Sequence, residues 1–286
     1  MFYNRRAQIL AFVSIKGGVG KTTLAVETAT ALAKYYNKKV LLVDANFSAP
    51  NIGLYLDLTR KSEEDGIKEF LGLQDALLGI GLHNTIYEAH GFDVVPAVFD
   101  YKHDVDIFKL KKILEKVRYR YDFIILDSAP NYEELKPVIA AADKIFIVTS
   151  ADEMTLTTSL RAAKTAQQNK TPVHGIIVNR IRSPKHEMNI GEIENMAGNK
   201  IPVLARIKDN KKMASSLFHK EPLVVHDEFG NFSKEIKNFV SALCGTPENP
   251  GFFENILNFS GYKKIFGKEK INRDLYRKNF YTSESL

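Results

Sequence analysis

Lys16-Gly17-Gly18-Val19-Gly20-Lys21-Thr22-Thr23 is a run whose residue types and spacing could grip a polyphosphate. Glycines let the main chain curl until successive N–H groups face phosphate oxygens. A helical pattern begins at Lys21, so the positive end of a helix dipole would face the same point. The Lys21 ammonium would neutralise β- and γ-phosphates, and the Thr22 hydroxyl would ligate Mg²⁺. Upstream lies an apolar stretch, Ile9 to Ile15, giving the strand–loop–helix setting this chemistry needs. The alternative is a glycine turn that binds nothing; eight fitting residues in this setting argue against it.

Two more apolar runs end in a carboxylate. Val40-Leu41-Leu42-Val43-Asp44 and Phe123-Ile124-Ile125-Leu126-Asp127 both read as buried strands. Each would present its acid at the carboxyl edge of a sheet, where α/β folds bind ligands. A third run, Gly175-Ile176-Ile177-Val178, ends in Asn179-Arg180. The Asn179 amide can both donate to and accept from a purine edge, the alternative being a plain strand end.

The general phosphate-loop pattern has Gly where Ile15 stands, and Lys16 is an additional lysine. In that form the run resembles the deviant Walker A loop of the MinD/ParA family of P-loop ATPases, on the MinD side. The resemblance covers about residues 8–245 and implies ATP and Mg²⁺ as cofactors. It implies an ATP-dependent homodimer in which Lys16 reaches the partner's nucleotide. Residues Lys16 to Thr23 with Asn179 and Arg180 would hold the nucleotide; Thr22, Asp44 and Asp127 would hold the metal and its waters. Pro202 to Ile207 would line the other side of the base.

Three places depart from the family's pattern, one being Lys208-Asp209, where the family commonly continues with Pro after Ile207. The family's second motif is Asp-x-Asp, its second acid orienting the attacking water; here the pair is Asp44 and Asn46. Asn keeps the shape but carries no charge and takes no proton. With Lys16, Asp44 and Asn46 as the catalytic set, ATP binding should survive and hydrolysis should be slow. A shifted loop register, with Asp44 itself catalytic, is the alternative. The switch loop Ser128-Ala129-Pro130 is followed by Asn131 where the family often has Gly. Asn tolerates positive φ, so a left-handed turn is expected there. Asp152 and Glu153 are expected in a solvated loop rather than against a dimer partner.

The elements that must position these residues alternate along the chain. Strands are expected at 9–15, 40–44, 92–96, 123–127, 145–149, 173–179 and 201–207, and helices at 21–36, 106–119, 155–168 and 230–244. The continuous apolar strands suit a sheet covered on both faces. The expected fold is a doubly wound α/β P-loop domain with a mostly parallel sheet over residues 1–245.

Composition narrows the reading. With 286 residues and 44% hydrophobic content, the chain fits one large α/β domain with an appendage. The single cysteine, Cys244, forms no disulfide within the chain and no paired-thiol cluster or zinc site; packing is its expected role. The absence of a leader or spanning stretch gives a cytoplasmic expectation.

Residues 246–286 read as a Pro/Gly linker and an amphipathic basic tail, with seven basic and five acidic residues of a chain whose net charge is +6. Phe252, Phe253, Ile256 and Leu257 share a face at helical spacing, and Ile265 and Phe266 follow among lysines. That composition suits an interfacial membrane helix at the inner face of the cell membrane. Packing on the domain or docking an unknown protein partner is the alternative, and nucleic acid comes last.

Overall fold

A computed structural model describes residues 6–58, 70–99, 101, 104–182 and 185–245. The linker and tail expected over 246–286, with Phe252, Phe253, Ile256, Leu257, Ile265 and Phe266, lie outside the described residues.

The described chain folds as an eight-stranded sheet with helices on both faces. The strands are β1 (Gln8–Val13), β2 (Val40–Ala45), β3 (Tyr87–Ala89), β4 (Phe92–Val95), β5 (Phe123–Ser128), β6 (Lys144–Thr149), β7 (Val173–Ile181) and β8 (Val203–Lys208). Their order across the sheet is β3-β4-β2-β5-β1-β6-β7-β8. All pairings are parallel except the β3–β4 hairpin. β1 is central, so the chain leaves its end at the switch in strand order, where doubly wound sheets bind ligands.

Parallel strands need crossovers, and the helices supply them. They are α1 (Lys21–Tyr36), α2 (Ile52–Tyr55), α3 (Leu73–Leu78), α4 (Leu110–Val117), α5 (Tyr132–Ala141), α6 (Glu153–Gln168), α7 (Ile190–Met196), α8 (Met213–Phe218), α9 (Leu223–His226) and α10 (Asn231–Cys244). Because alternate residues of a strand face opposite sides, β1 feeds both cores. Ile9, Ala11 and Val13 pack with α4 to α6, and Leu10 and Phe12 pack with α1 and α10. On the second face Phe12, Phe146 and Phe239 form an aromatic cluster with centroid separations of 5.2 to 6.3 Å. It fastens α10 to the middle of the sheet, each pair adding about 0.5–1.5 kcal/mol beyond burial. Cys244 ends that helix, half-buried against the same core.

The short helices α2, α3, α7, α8 and α9 were not expected from the sequence, and three further elements differ from their sequence-based reading. β3 is a three-residue edge strand of mixed polarity, too short to show alternation; His90 (φ +52) and Gly91 (φ +81) turn it back into β4. The helix expected over 106–119 is an α-helix only over Leu110–Val117, flanked by 3₁₀ turns. Helix α5 carries Pro137 inside it, which interrupts the helical pattern in the sequence.

Candidate nucleotide-binding site

The loop between β1 and α1 reverses through two glycines in the left-handed region, Gly18 (φ +76) and Gly20 (φ +94). Gly20 is the N-cap of α1 and brings no side-chain cap, and the first turn contains no acid. The leading amides of this 16-residue helix therefore have no side-chain acceptor, and the positive end of its dipole is uncompensated. Val19 is buried in the core, and its carbonyl accepts from Asn179 Nδ2 at 2.9 Å. Asn179, expected at a purine edge, thus spends one end of its amide on the loop itself.

Three buried ionisable groups lie at the foot of this loop. Lys21 is 6% exposed, and Asp44 and Asp127 are fully buried on adjacent strands, paired in register. Burial lowers the Lys21 pKa, and Asp127 opposes that shift. Burial raises the Asp127 pKa first, with Asp44 adding to it and Thr22 and Lys21 opposing. Asp44 is likewise raised by burial, against three backbone amides. Two carboxylates against one ammonium leave a deficit of positive charge in low dielectric.

The Thr22 hydroxyl donates to Asp127 Oδ2 at 2.5 Å. Asp127 Oδ1 is buried and has no hydrogen-bond partner among the described residues. An unpaired carboxylate oxygen beside a second carboxylate and a hydroxyl fits a hard divalent cation with its waters. Asp44 has loop contacts beyond its sequence reading. Its Oδ1 accepts from Asn46 N at 3.1 Å and its Oδ2 from Asn51 N and Ile52 N, both at 3.1 Å. Both oxygens therefore hold the loop that leads into α2.

Asn46 is engaged within that loop. Its Nδ2 donates to the Ala49 carbonyl at 2.8 Å, and its Oδ1 accepts from Ala49 N at 3.2 Å and Ser48 Oγ at 3.3 Å. Asn131 corrects an expectation: its backbone is extended (φ −121), not left-handed, because it caps α5 by accepting from Glu134 N at 2.9 Å. Asp152 likewise caps α6, accepting from Thr155 N at 2.8 Å; against the upward push of burial, hydrogen bonds from Ser150 and Thr155, and then the Lys16 charge, hold its carboxyl below the usual range.

Two cavities flank the phosphate loop. A cleft of 510 Å³ contains Gly17 to Thr23 except Val19, and its far wall includes Tyr55, Leu217 and Lys220. Leu217 of α8 and Lys220 in the turn after it line this cleft, and residues 202–207 do not. Beyond the loop, 240 Å³ opens between Lys16, Ser150, Asp152 and Arg182. Arg180 lines both spaces with φ +58, at a bulge where β7 loses register with β8. A non-glycine residue held there stores about 1–3 kcal/mol of strain.

Sequence reasoning passed over two carboxylates that organise the cleft walls. Glu27, fully buried on α1, accepts from Leu223 N and Val224 N at 2.7 Å and from Tyr55 OH at 3.0 Å. It joins α1, α2 and α9. Its signal was an acid four residues before Ala31 and three after Leu24, on the buried stripe. Glu134 accepts from Phe47 N at 2.7 Å, tying α5 to the loop after β2. Its signal was the Asn131-x-x-Glu134 spacing of a helix start.

With this geometry in view, comparison with known proteins is direct. Residues 10–223 match the CobQ/CobB/MinD/ParA nucleotide binding domain. An ATP-binding protein of Methanocaldococcus jannaschii is 27% identical over 246 residues, covering 84% of this chain and 89% of its own. The septum site-determining protein MinD of Bacillus subtilis is 25% identical over 277 residues, covering 90% and 99%. Among solved structures, MinD complexed with Mg-ADP from Pyrococcus horikoshii superposes with a TM-score of 0.74 at 22% identity, covering 83% of this chain and 96% of that one. The match over residues 10–223 shows that the chain, with its buried loop lysine and its threonine–aspartate pair, belongs to the CobQ/CobB/MinD/ParA family of nucleotide-binding domains.

Proposed function

We propose that the chain is an ATP-dependent dimerising switch of the MinD/ParA type, with slow ATP hydrolysis, that organises other proteins at a membrane surface. The observation that carries this reading is the division of labour between its two loop lysines. Lys21 is buried within the loop's own cleft, where it meets Asp127. Lys16 is exposed and lines the second cavity with Asp152 and Arg182. A cation outside its own cleft is free to meet the phosphates of a second subunit.

Within one subunit, the loop amides and Lys21 would bind the β- and γ-phosphates. Thr22 and Asp127 would hold Mg²⁺, whose charge would offset that of the polyphosphate. The Ser128 to Asn131 segment follows Asp127 directly, so it would sense the filled site. Slow turnover follows from Asn46, which carries no charge and is occupied by its own turn. That engagement also favours a second reading, an ATP-held scaffold with no significant hydrolysis. A ParA-like hold on DNA would rest on cations such as Arg180, Arg182 and Lys212, of which Arg182 and Lys212 are already paired with Asp209 and Asp227.

Among the described residues no helix is long and apolar enough to cross a membrane, so membrane contact would fall to the tail. Dimerisation would double a weak anchor and gain avidity.

The test is binding of ATP and a non-hydrolysable analogue in Mg²⁺ buffer, with mass in solution followed by light scattering. Saturable binding with a doubled mass supports the switch. No binding overturns both readings, and binding without a change of mass overturns the dimer.

A further inference from the structure

Two of the positions that depart from the family's pattern, Asn46 and Asn131, are joined by one chain of hydrogen bonds. Asn131 Nδ2 lies 3.2 Å from Ser48 Oγ, which donates to Asn46 Oδ1 at 3.3 Å. The same Nδ2 donates to Glu134 Oε1 at 2.8 Å. The other oxygen of Glu134 accepts from Phe47 N at 2.7 Å and Ser48 N at 3.3 Å. Glu134 thus has one oxygen on the loop after β2 and one on the residue that closes the loop after β5. These two loops carry the residues read as orienting water and sensing phosphate.

We propose that Glu134 is a positioning residue that pins these loops together and holds turnover low. The argument rests on the ATPase reading above. Asn46 faces its own turn because Ala49 N and Ser48 Oγ satisfy its oxygen and the Ala49 carbonyl takes a hydrogen of its amide. Asn46 lines the 510 Å³ cleft and keeps one Nδ2 hydrogen, but both acceptor sites of its oxygen are taken; for that oxygen to accept from a water, the turn at 46–49 must open. Opening costs the contacts of Glu134 to Phe47 and Ser48, bonds to an ionised acceptor and so stronger than neutral ones. A glycine at 131, as the family often has, could make no side-chain link to Ser48 at all. The chain has therefore replaced a charged, water-facing residue and a bare turn with two amides that bond to each other through a serine.

The pin is read first without nucleotide. Hydrogen exchange of the Phe47 and Ser48 amides in the full chain should speed up about tenfold or more in Glu134→Ala, the loss expected for a hydrogen bond to a charged group. Glu134→Gln keeps one acceptor and should fall between. Ser48→Ala cuts the link between Asn46 and Asn131 at an exposed side chain and leaves α5 untouched. Its 46–49 amides should also exchange faster. In ATP turnover, both Ala variants should raise kcat severalfold with KM unchanged, and Glu134→Gln should restore part of the slow rate. Unchanged exchange overturns the pin. Faster exchange with an unchanged or lower kcat overturns its control of turnover. If ATP does not bind at all, the exchange result alone decides the pin, and only the ATPase reading fails.

Discussion

A β-carbon added to Gly20 would lie 2.3 Å from Asn179 Nδ2, so the phosphate loop and the end of β7 are in contact through the absence of a side chain. Gly20 also sits at φ +94, which costs an L-residue about 1–2 kcal/mol. Gly20→Ala should therefore lower Tm by roughly 5 °C and weaken nucleotide binding more than tenfold. Calorimetry with and without ATP checks both. A variant that binds ATP as wild type would remove Gly20 from the loop's working geometry.

The two lysines should separate binding from assembly. Lys21→Ala removes the buried ammonium and should weaken ATP binding roughly 10- to 100-fold. Lys16→Ala should leave binding by one subunit within about threefold, the small effect expected of an exposed charge, while abolishing the ATP-induced dimer. Titration calorimetry and light scattering on the same samples distinguish the two, and persistent dimers in Lys16→Ala would defeat the cross-subunit role.

Burial raises the Glu27 carboxyl to about 7, against the amides of Val224 and Leu223 and the Tyr55 hydroxyl. A carboxyl with a raised folded-state pKa stabilises the fold below its unfolded value and loses that contribution as pH climbs through the folded one. Glu27 should therefore contribute a stability that fades between about pH 4.5 and 7, by up to about 3 kcal/mol. Glu27→Gln cannot titrate, so the Tm gap between wild type and variant should shrink as pH rises across that window. A gap independent of pH would show that Glu27 is ionised throughout.

If the tail anchors the switch, Phe252→Asp with Ile256→Asp should abolish ATP-dependent pelleting with anionic liposomes and leave ATP binding intact. Equal pelleting by wild type and variant would move the apolar face to some other task.

How far the sequence could be read depended on how local each signal was. The phosphate loop was legible because its chemistry is continuous: eight adjacent residues supply amides, ammonium and hydroxyl. Asp44 and Asp127 were legible as strand ends, yet the loop contacts of Asp44 were not. Its partners, the amides of Asn46, Asn51 and Ile52, depend on the path of a loop. Asn131 misled because its tolerance for positive φ was weighed and its capping of α5 was not. Tyr55, Leu217 and Lys220 reach the cleft only through tertiary folding, and no spacing in the chain brings them together. Helix α5 was hidden by Pro137, although Asn131 and Glu134 marked its start.

Helix α10 lies against α1 as well as against the sheet, and its last residue, Cys244, is where the fold hands the chain on. The helix that follows the glycine loop is therefore the immediate neighbour of the one that ends the described chain. A shift of α1 by a fraction of an ångström has only one interhelical seam to traverse before it is felt at Gly245. News of an occupied loop would need no long relay to reach Gly245.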